Sequence, residues 1–508
     1  MKMNRIRTTT IFGAVFAVLL MLLGVFAIPT SVSAADGNLT ANLETETGAT
    51  TVLGGGDHFF VKFGSDAAFG IVWGTQDTPN NVYFVAIKAR YLGVAQVYDS
   101  DGNLVEGNHT IKIATLYAVK LDDILEFNDT ERSLSNGTLL GHRVYQNGNF
   151  TGTYNSLEQI YKKVDLNTAW TQSEVVDQTV GDTRTWTFDL TASDLPYVSA
   201  GFDNYTGPTG DDTLNNLTLT FHLEASMVQV DNVSLPQWRI TVSKGMMGMG
   251  NMMWTTGIQS MEPKVVSGDV ISFHVKWDQM IEGWDFDAAN ANPTLLMEFE
   301  AIVGNYIPPA LSQAMHMYGW AYLHMVQQMN EAGYARCITN TGDVDVTENA
   351  GTYATPRPLA SPMMTFGGDN TRIGRFQWVS NATVDGNQMT NAVHSQIMGG
   401  VPFYAIGMNG AVFTGFAVIG GMSFPGGGII DHDPTFESDA LVDVTGLSTE
   451  TTFPIGLVSL AAVVVAALVI VIAVLVMMDR KPGQKIQQSY ERSAPNQQVD
   501  WTKYYGKK

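Results

Sequence analysis

The chain has 508 residues, of which 45% are hydrophobic and only 15% charged, and its formal net charge is −21. That length exceeds what one small core needs, so two or more domains are expected. The acidic balance argues against nucleic acid as a partner, because a negative surface repels phosphate.

Residues 1–34 have the pattern of a signal peptide. Lys2, Arg5 and Arg7 precede an apolar run over 11–28, and small residues follow at the cleavage position. An uncleaved N-terminal anchor is the alternative interpretation, since the apolar run is long for a signal.

The segment from 36 to 450 has the pattern of β structure, which we divide into domains at 36–245 and 262–450. Short alternating or β-branched runs recur between clusters of turn residues, as is typical of antiparallel sandwiches. The clearest runs are 59–63, 82–87, 111–117, 186–190, 217–223, 238–242, 270–275 and 295–299. The sequence therefore predicts a mainly β fold with two antiparallel, β-sandwich-like extracellular domains.

Asparagine sequons are frequent in the first of these domains. Roughly four or five N-x-S/T sites are expected by chance at this composition. The chain has nine, and eight of them precede residue 240. We interpret them as glycosylation candidates: Asn38, Asn108, Asn128, Asn136, Asn149, Asn204, Asn216, Asn232 and Asn381.

Residues 246–261 form a methionine- and glycine-rich linker between the two predicted domains. Within it, Met247, Met249 and Met252 are spaced closely enough for a flexible loop to bring three thioethers to one Cu(I) ion. Methionine also fills irregular apolar gaps and makes adaptable contacts. Packing between the domains, or a sticky surface for a partner or for lipid, are therefore the alternatives.

One amphipathic helix is predicted in the second domain, over 310–332. Residues 311–330 contain no Asp, Glu, Lys or Arg, and their apolar residues recur at spacings of three and four. That spacing places them on one helix face, which we expect to lie across a sheet. Cys337 is the single cysteine, so no intrachain disulfide is expected, and a prokaryotic envelope is favoured over a eukaryotic ectodomain.

A second metal hypothesis concerns the loop that contains Asp431, His432 and Asp433. Carboxylates there would suit calcium, and the imidazole would suit a transition metal. A turn opened by Asp433 before proline is the alternative. Asp285 and Asp287, with two nearby asparagines, make a similar cluster, for which turn formation is the preferred interpretation.

A membrane-spanning helix is predicted over 455–478. These 24 residues carry no charge, which is enough to cross about 30 Å of hydrocarbon as a helix. Arg480 and Lys481 follow at once, and cationic residues are retained on the cytoplasmic side. The tail 479–508 is thus expected inside the cell and the rest of the chain outside, a single-pass type I topology.

Together these features favour a membrane-anchored, outward-facing surface protein of archaeal type, with a structural, adhesive or envelope role. The expected partners are the lipid bilayer through 455–478, other envelope proteins and further copies of the chain. A ligand- or metal-binding module using copper or calcium, and an exported hydrolase, are the alternatives. No nucleophile elbow, HExxH, phosphate-binding or CxxC motif occurs, so no catalytic residue is assigned.

Overall fold

A computed structural model describes much of the region between the two predicted hydrophobic segments. The described residues are 43–63, 67–128, 145–146, 149–150, 160–198, 212–244, 253–307, 336–339, 342–345, 357–358, 363–366, 374–378, 381–390, 392–406, 412–432 and 434–445. The predicted signal peptide, the helix at 310–332, the span at 455–478 and the tail all lie outside them.

The prediction of a mainly β, antiparallel fold is confirmed. The described residues form 25 strands and one short 3₁₀ turn at Val52–Gly54. The first strands are β1 Leu43–Thr50, β2 Gly56–Phe63, β3 Ala67–Trp73, β4 Tyr83–Asp99, β5 Leu104–Asn128, β6 Tyr145–Gln146, β7 Asn149–Phe150, β8 Ile160–Asp165, β9 Thr171–Gln172, β10 Val176–Val180, β11 Thr183–Val198, β12 Thr213–Lys244 and β13 Met253–Glu282. The others are β14 Pro293–Ile307, β15 Arg336–Thr339, β16 Gly342–Asp345, β17 Arg357–Pro358, β18 Met363–Phe366, β19 Gly374–Trp378, β20 Ala382–Val384, β21 Asn387–Met389, β22 His394–Ile406, β23 Val412–Pro425, β24 Ile429–His432 and β25 Pro434–Thr445.

The strands pair in two antiparallel series. One series runs β1, β2, β3, β4, β5, β14, β23 and β22. The other runs β10, β11, β12, β13, β25, β19, β18, β15 and β16. Two connections join the series: β8 pairs with both β5 and β11, and the end of β4 pairs in parallel with β12.

Aromatic side chains from the two series meet in the core. Phe84 of β4 lies 4.5 Å from Trp277 of β13 between ring centroids, and Phe69 of β3 lies 5.8 Å from Phe273. All four rings are buried, and each such side chain contributes about 1.5–3 kcal/mol relative to full exposure. Residues from both predicted domains therefore line the same core.

Four strands extend beyond this core as a β-arm, formed by 94–99 of β4, the start of β5, 233–244 of β12 and 253–266 of β13. Its base has a separate small cluster of Val94, Leu235 and Val266. Residues 253–261 of the predicted linker are thus the first part of β13, paired with β12. The sandwich arrangement and the two domain boundaries stay predictions.

The strand ends define two opposite ends of the molecule. At the arm end, β14 stops at Ile307 beside the start of β23, and β25 stops at Thr445 opposite Ser267 of β13. At the far end lie the last residues of β5 and β11 and the first residues of β8 and β12, since Phe127 pairs with Ile160 and Pro196 with Thr213.

Candidate functional site

The two residues of the predicted acidic metal loop that are described point in opposite directions. Asp431 is exposed, whereas His432 is 2% exposed and its ring lies 5.3 Å from that of Phe424. Adjacent residues of a strand alternate between its faces, so these two side chains do not converge on one ion. Asp433 lies outside the described residues, and metal binding by this loop stays a prediction.

The three residues of the predicted copper site, Met247, Met249 and Met252, lie outside the described residues. Among the residues that are described, no group of three His, Cys, Asp or Glu side chains is arranged to hold a metal ion. Copper and calcium binding stay predictions.

Five of the nine sequons belong to the far end of the molecule or to connections that begin and finish there. Asn128 is the last residue of β5, and Asn216 lies near the start of β12, opposite Glu282. Asn136 and Asn149 fall between β5 and β8, and Asn204 falls between β11 and β12. Asn232 is exposed at an irregularity of β12, while Asn108 lies in β5 and Asn381 just before β20; Asn38 is outside the described residues.

The structure shows a partly exposed polar network on β11, β12 and β13 that the sequence pattern does not predict. The Nε2 atom of His222 lies 3.1 Å from a carboxylate oxygen of Asp278, and its Nδ1 atom lies 3.4 Å from the hydroxyl of Thr187. Lys276 lies 2.7 Å from the same carboxylate. Alternation within Leu217–Leu223 is the signal that could have placed His222 on an outer face.

This network has the residue types of a nucleophilic site but not its setting. The His222 side chain is 42% exposed, and Thr187, His222 and Asp278 are all strand residues paired in the ladder. Their backbone N–H groups therefore point along the sheet rather than at a reacting carbonyl oxygen, as an oxyanion hole requires. We interpret the network as part of an open polar sheet face suited to contact with polar surfaces.

A buried carboxyl group organises the loop between β13 and β14. Glu126 of β5 is fully buried and accepts hydrogen bonds from the indole of Trp284 at 2.9 Å, the backbone N–H of Asp287 at 3.0 Å and the amide of Asn290 at 2.8 Å. Asp287 also accepts from the N–H of Ala289 at 2.8 Å. The loop carboxylate Asp287 thus takes part in a turn that Glu126 fixes in place.

Tyr197 and Lys162 lie next to the Glu126 clamp, which we define as Glu126 with its three donor residues, Trp284, Asp287 and Asn290. The Tyr197 hydroxyl accepts a hydrogen bond from the N–H of Asp285, and the Lys162 ammonium lies 4.2 Å from the tyrosine ring centroid. Burial, together with the negative charges of Asp285 and Glu126, raises the pKa of Tyr197 to about 12. The phenol therefore stays neutral at physiological pH and serves as a packing and hydrogen-bonding group.

One buried lysine, Lys120, and one partly buried lysine, Lys163, are held by carboxylates on β5, β8 and β14. Lys120 lies 2.7 Å from Asp122 and 3.5 Å from Glu300, and Lys163 lies 2.6 Å from both Asp123 and Asp165. Burial alone would lower the pKa of Lys120, but the two nearby carboxylates outweigh it and raise that pKa. These ion pairs link β5 to its two neighbouring strands, β14 and β8.

Comparison with known proteins gives no further guide to this geometry. No protein-family model matches this chain. Neither a curated protein nor a solved structure is detectably similar to it. In the described part of the chain, no helix has the length and apolarity that crossing a membrane would require.

Proposed function

We propose that this chain is a single-pass, outward-facing protein of the cell surface, with a structural or adhesive role in the envelope. In this proposal the two strand series form a β-sandwich body, carried on the helix at 455–478. The observation that carries the proposal is that the chain leaves the body at one end, whereas five of its nine sequons belong to the opposite end.

The chain leaves the body towards the predicted span at the arm end. β25 runs towards that end and stops at Thr445, and the nine residues 446–454 separate it from the start of the predicted span at Ile455. A body attached there would have the arm end nearest the bilayer and the far end directed away from it.

The sequons are concentrated at the opposite end. Asn128 and Asn216 lie there, and the connections that contain three more sequons leave and re-enter the body there. Glycans are bulky and hydrated, so they fit the end that faces away from the membrane. This polarity supports the outward topology and glycosylation together.

The character of the body supports a mechanical or adhesive role over a catalytic one. Trp73, Trp186 and Trp277 are fully buried, and the lysine–carboxylate pairs join neighbouring strands inside the protein. The outer face of β11–β13 carries hydroxyl, imidazole and carboxylate groups over a broad, regular surface. Such a surface offers many weak polar contacts to a neighbouring envelope component.

Charged residues placed in the predicted span test the anchor. The variant Val464→Arg/Leu468→Arg should leave carbonate-washed membranes, because each arginine at the centre of a span costs about 2.5–3.5 kcal/mol. The matched control is Val176→Arg/Val180→Arg, at positions 50% and 76% exposed, which should stay with the membranes like wild type. Retention of the span variant at the wild-type level would contradict the proposal.

A further inference from the structure

We infer that the tip of the β-arm docks on the bilayer that holds the anchor, at a surface of zwitterionic lipid headgroups. The arm tip is defined by the last pairs of β12 and β13, Ser243 with Trp254 and Lys244 with Met253. The inference rests on the proposed anchoring of the chain and adds a second contact between the body and the membrane.

The arm is longer than the spacer that joins the body to the span. From Ser267, which pairs with Thr445, β13 extends back to Met253 over roughly 45 Å at about 3.3 Å per residue. The spacer 446–454 can reach at most roughly 35 Å, since an extended chain spans no more than about 3.6 Å per residue.

Direction and length together bring the tip to the membrane. β25 runs antiparallel to β13, so the chain leaves the body in the direction in which the arm points. With the strands along the membrane normal, a fully extended spacer still leaves the tip at or below the headgroups. A spacer that is less than fully extended holds the body closer to the bilayer. The tip then reaches the headgroups even when the strands are tilted away from the membrane normal.

The arm is built as one four-stranded unit at this point. β4 pairs with β12 as far as Asp99 with Val242, so the β4–β5 turn lies beside the tip. Trp238 is 4% exposed, and a Cβ atom on Gly93 would lie 2.3 Å from its ring, so glycine is needed for this packing. A supported arm can bear on a surface, whereas an isolated hairpin is marginally stable in water.

The residue types at the tip indicate an interface with neutral headgroups. The last pairs contain Trp254 and Lys244, and tryptophan and lysine are residue types that anchor proteins where membranes meet water. In the neighbouring turn, bonds from Asn103 lower the pKa of Asp99, and Asp101 adds a second acidic group. Those two carboxylates would be repelled by a strongly anionic surface, so zwitterionic lipid is the expected contact.

A fluorophore beside the tip tests this inference. Full-length chain with Cys337→Ser and Ser243→Cys, labelled with an environment-sensitive dye, is reconstituted in phosphatidylcholine vesicles with or without lipid-borne quencher. We expect quenching several-fold greater than for the same label at Val180→Cys, on exposed edge strand β10. Trp254→Ser in the Ser243→Cys background should reduce the quenching while the label at 180 is unchanged.

The outcomes separate this inference from the anchoring on which it rests. A chain that floats with vesicles but shows no excess quenching at position 243 overturns the docking of the arm and leaves the anchor intact. A chain that fails to float overturns both. Quenching that depends on protein density rather than on lipid quencher would assign the tip to a second copy of the chain, and would also overturn the inference.

Discussion

Replacement of Glu126 by glutamine is expected to lower the free energy of unfolding by about 2–3 kcal/mol, because one hydrogen-bond donor is forced against another in a buried site. The carboxyl oxygens accept three N–H donors and donate to none of them. A glutamine amide has one acceptor and one NH₂ group, so either orientation sets that NH₂ against Trp284 or against Asp287 and Asn290. Chemical denaturation of the full chain in detergent measures the change.

Two further variants control this prediction. Glu224→Gln makes the same substitution at an exposed strand position and should change stability by less than about 0.5 kcal/mol. Trp284→Phe removes the opposed indole donor, so the double variant should be less destabilised than the sum of the two single changes. Equal losses of unfolding free energy in Glu126→Gln and Glu224→Gln would show that the Glu126 clamp does not stabilise the fold.

Replacement of Lys120 by methionine should cost about 3–5 kcal/mol, because it removes the cation from a buried group of charges. Glu300 is 5% exposed and lies across the strand pair from Lys120, so its carboxylate would stay in the interior without this ammonium. Methionine keeps most of the side-chain volume, so the lost stability reflects the missing charge rather than a new cavity. The midpoint of denaturation measures it.

Lys276→Met is the matched control for this second prediction. Lys276 lies 2.7 Å from Asp278, as close as Lys120 to Asp122, but on a partly exposed sheet face, and a solvent-accessible pair contributes about 0–1 kcal/mol. Because the folded pKa of Lys120 is raised, its contribution is complete below the unfolded pKa and is lost only as pH rises through the folded one. The contribution of Lys120 to wild-type stability should therefore be complete between pH 6 and pH 9, where the two variants are compared. A loss no larger than that of Lys276→Met would contradict the account.

Strand content follows from local pattern, and for this reason the sequence predicts it well. The alternation over 217–223 places Leu217, Leu219, Phe221 and Leu223 inside and the intervening residues outside, as the burial of β12 confirms. The run 270–275 likewise lies within β13, with Ile271, Phe273 and Val275 buried. The alternating pattern can be recognised within a single strand, without knowing which strands pair with it.

The alternation of apolar and polar residues does not predict which strands pair when they are far apart in the sequence. Glu126 is 158 residues from Trp284 in the chain, and a glutamate in an apolar run gives no sign of the loop that it will hold. The sequence predicts a linker where β13 starts at Met253, because glycine and methionine interrupt the alternation there. The conformation of this segment depends on β12, which pairs with it as far as Lys244. The arm and its direction arise from this register and from the pairing of β4 with β12.

The outward orientation of the body is the central claim, and single-cysteine labelling in intact cells tests it most directly. In a Cys337→Ser background, Asp212→Cys lies at the exposed far end, and Ser493→Cys lies in the predicted tail. We predict that a membrane-impermeant maleimide labels position 212 in intact cells and position 493 only after permeabilisation. Labelling of position 493 in intact cells, or protection of position 212 until the membrane is opened, would contradict the account.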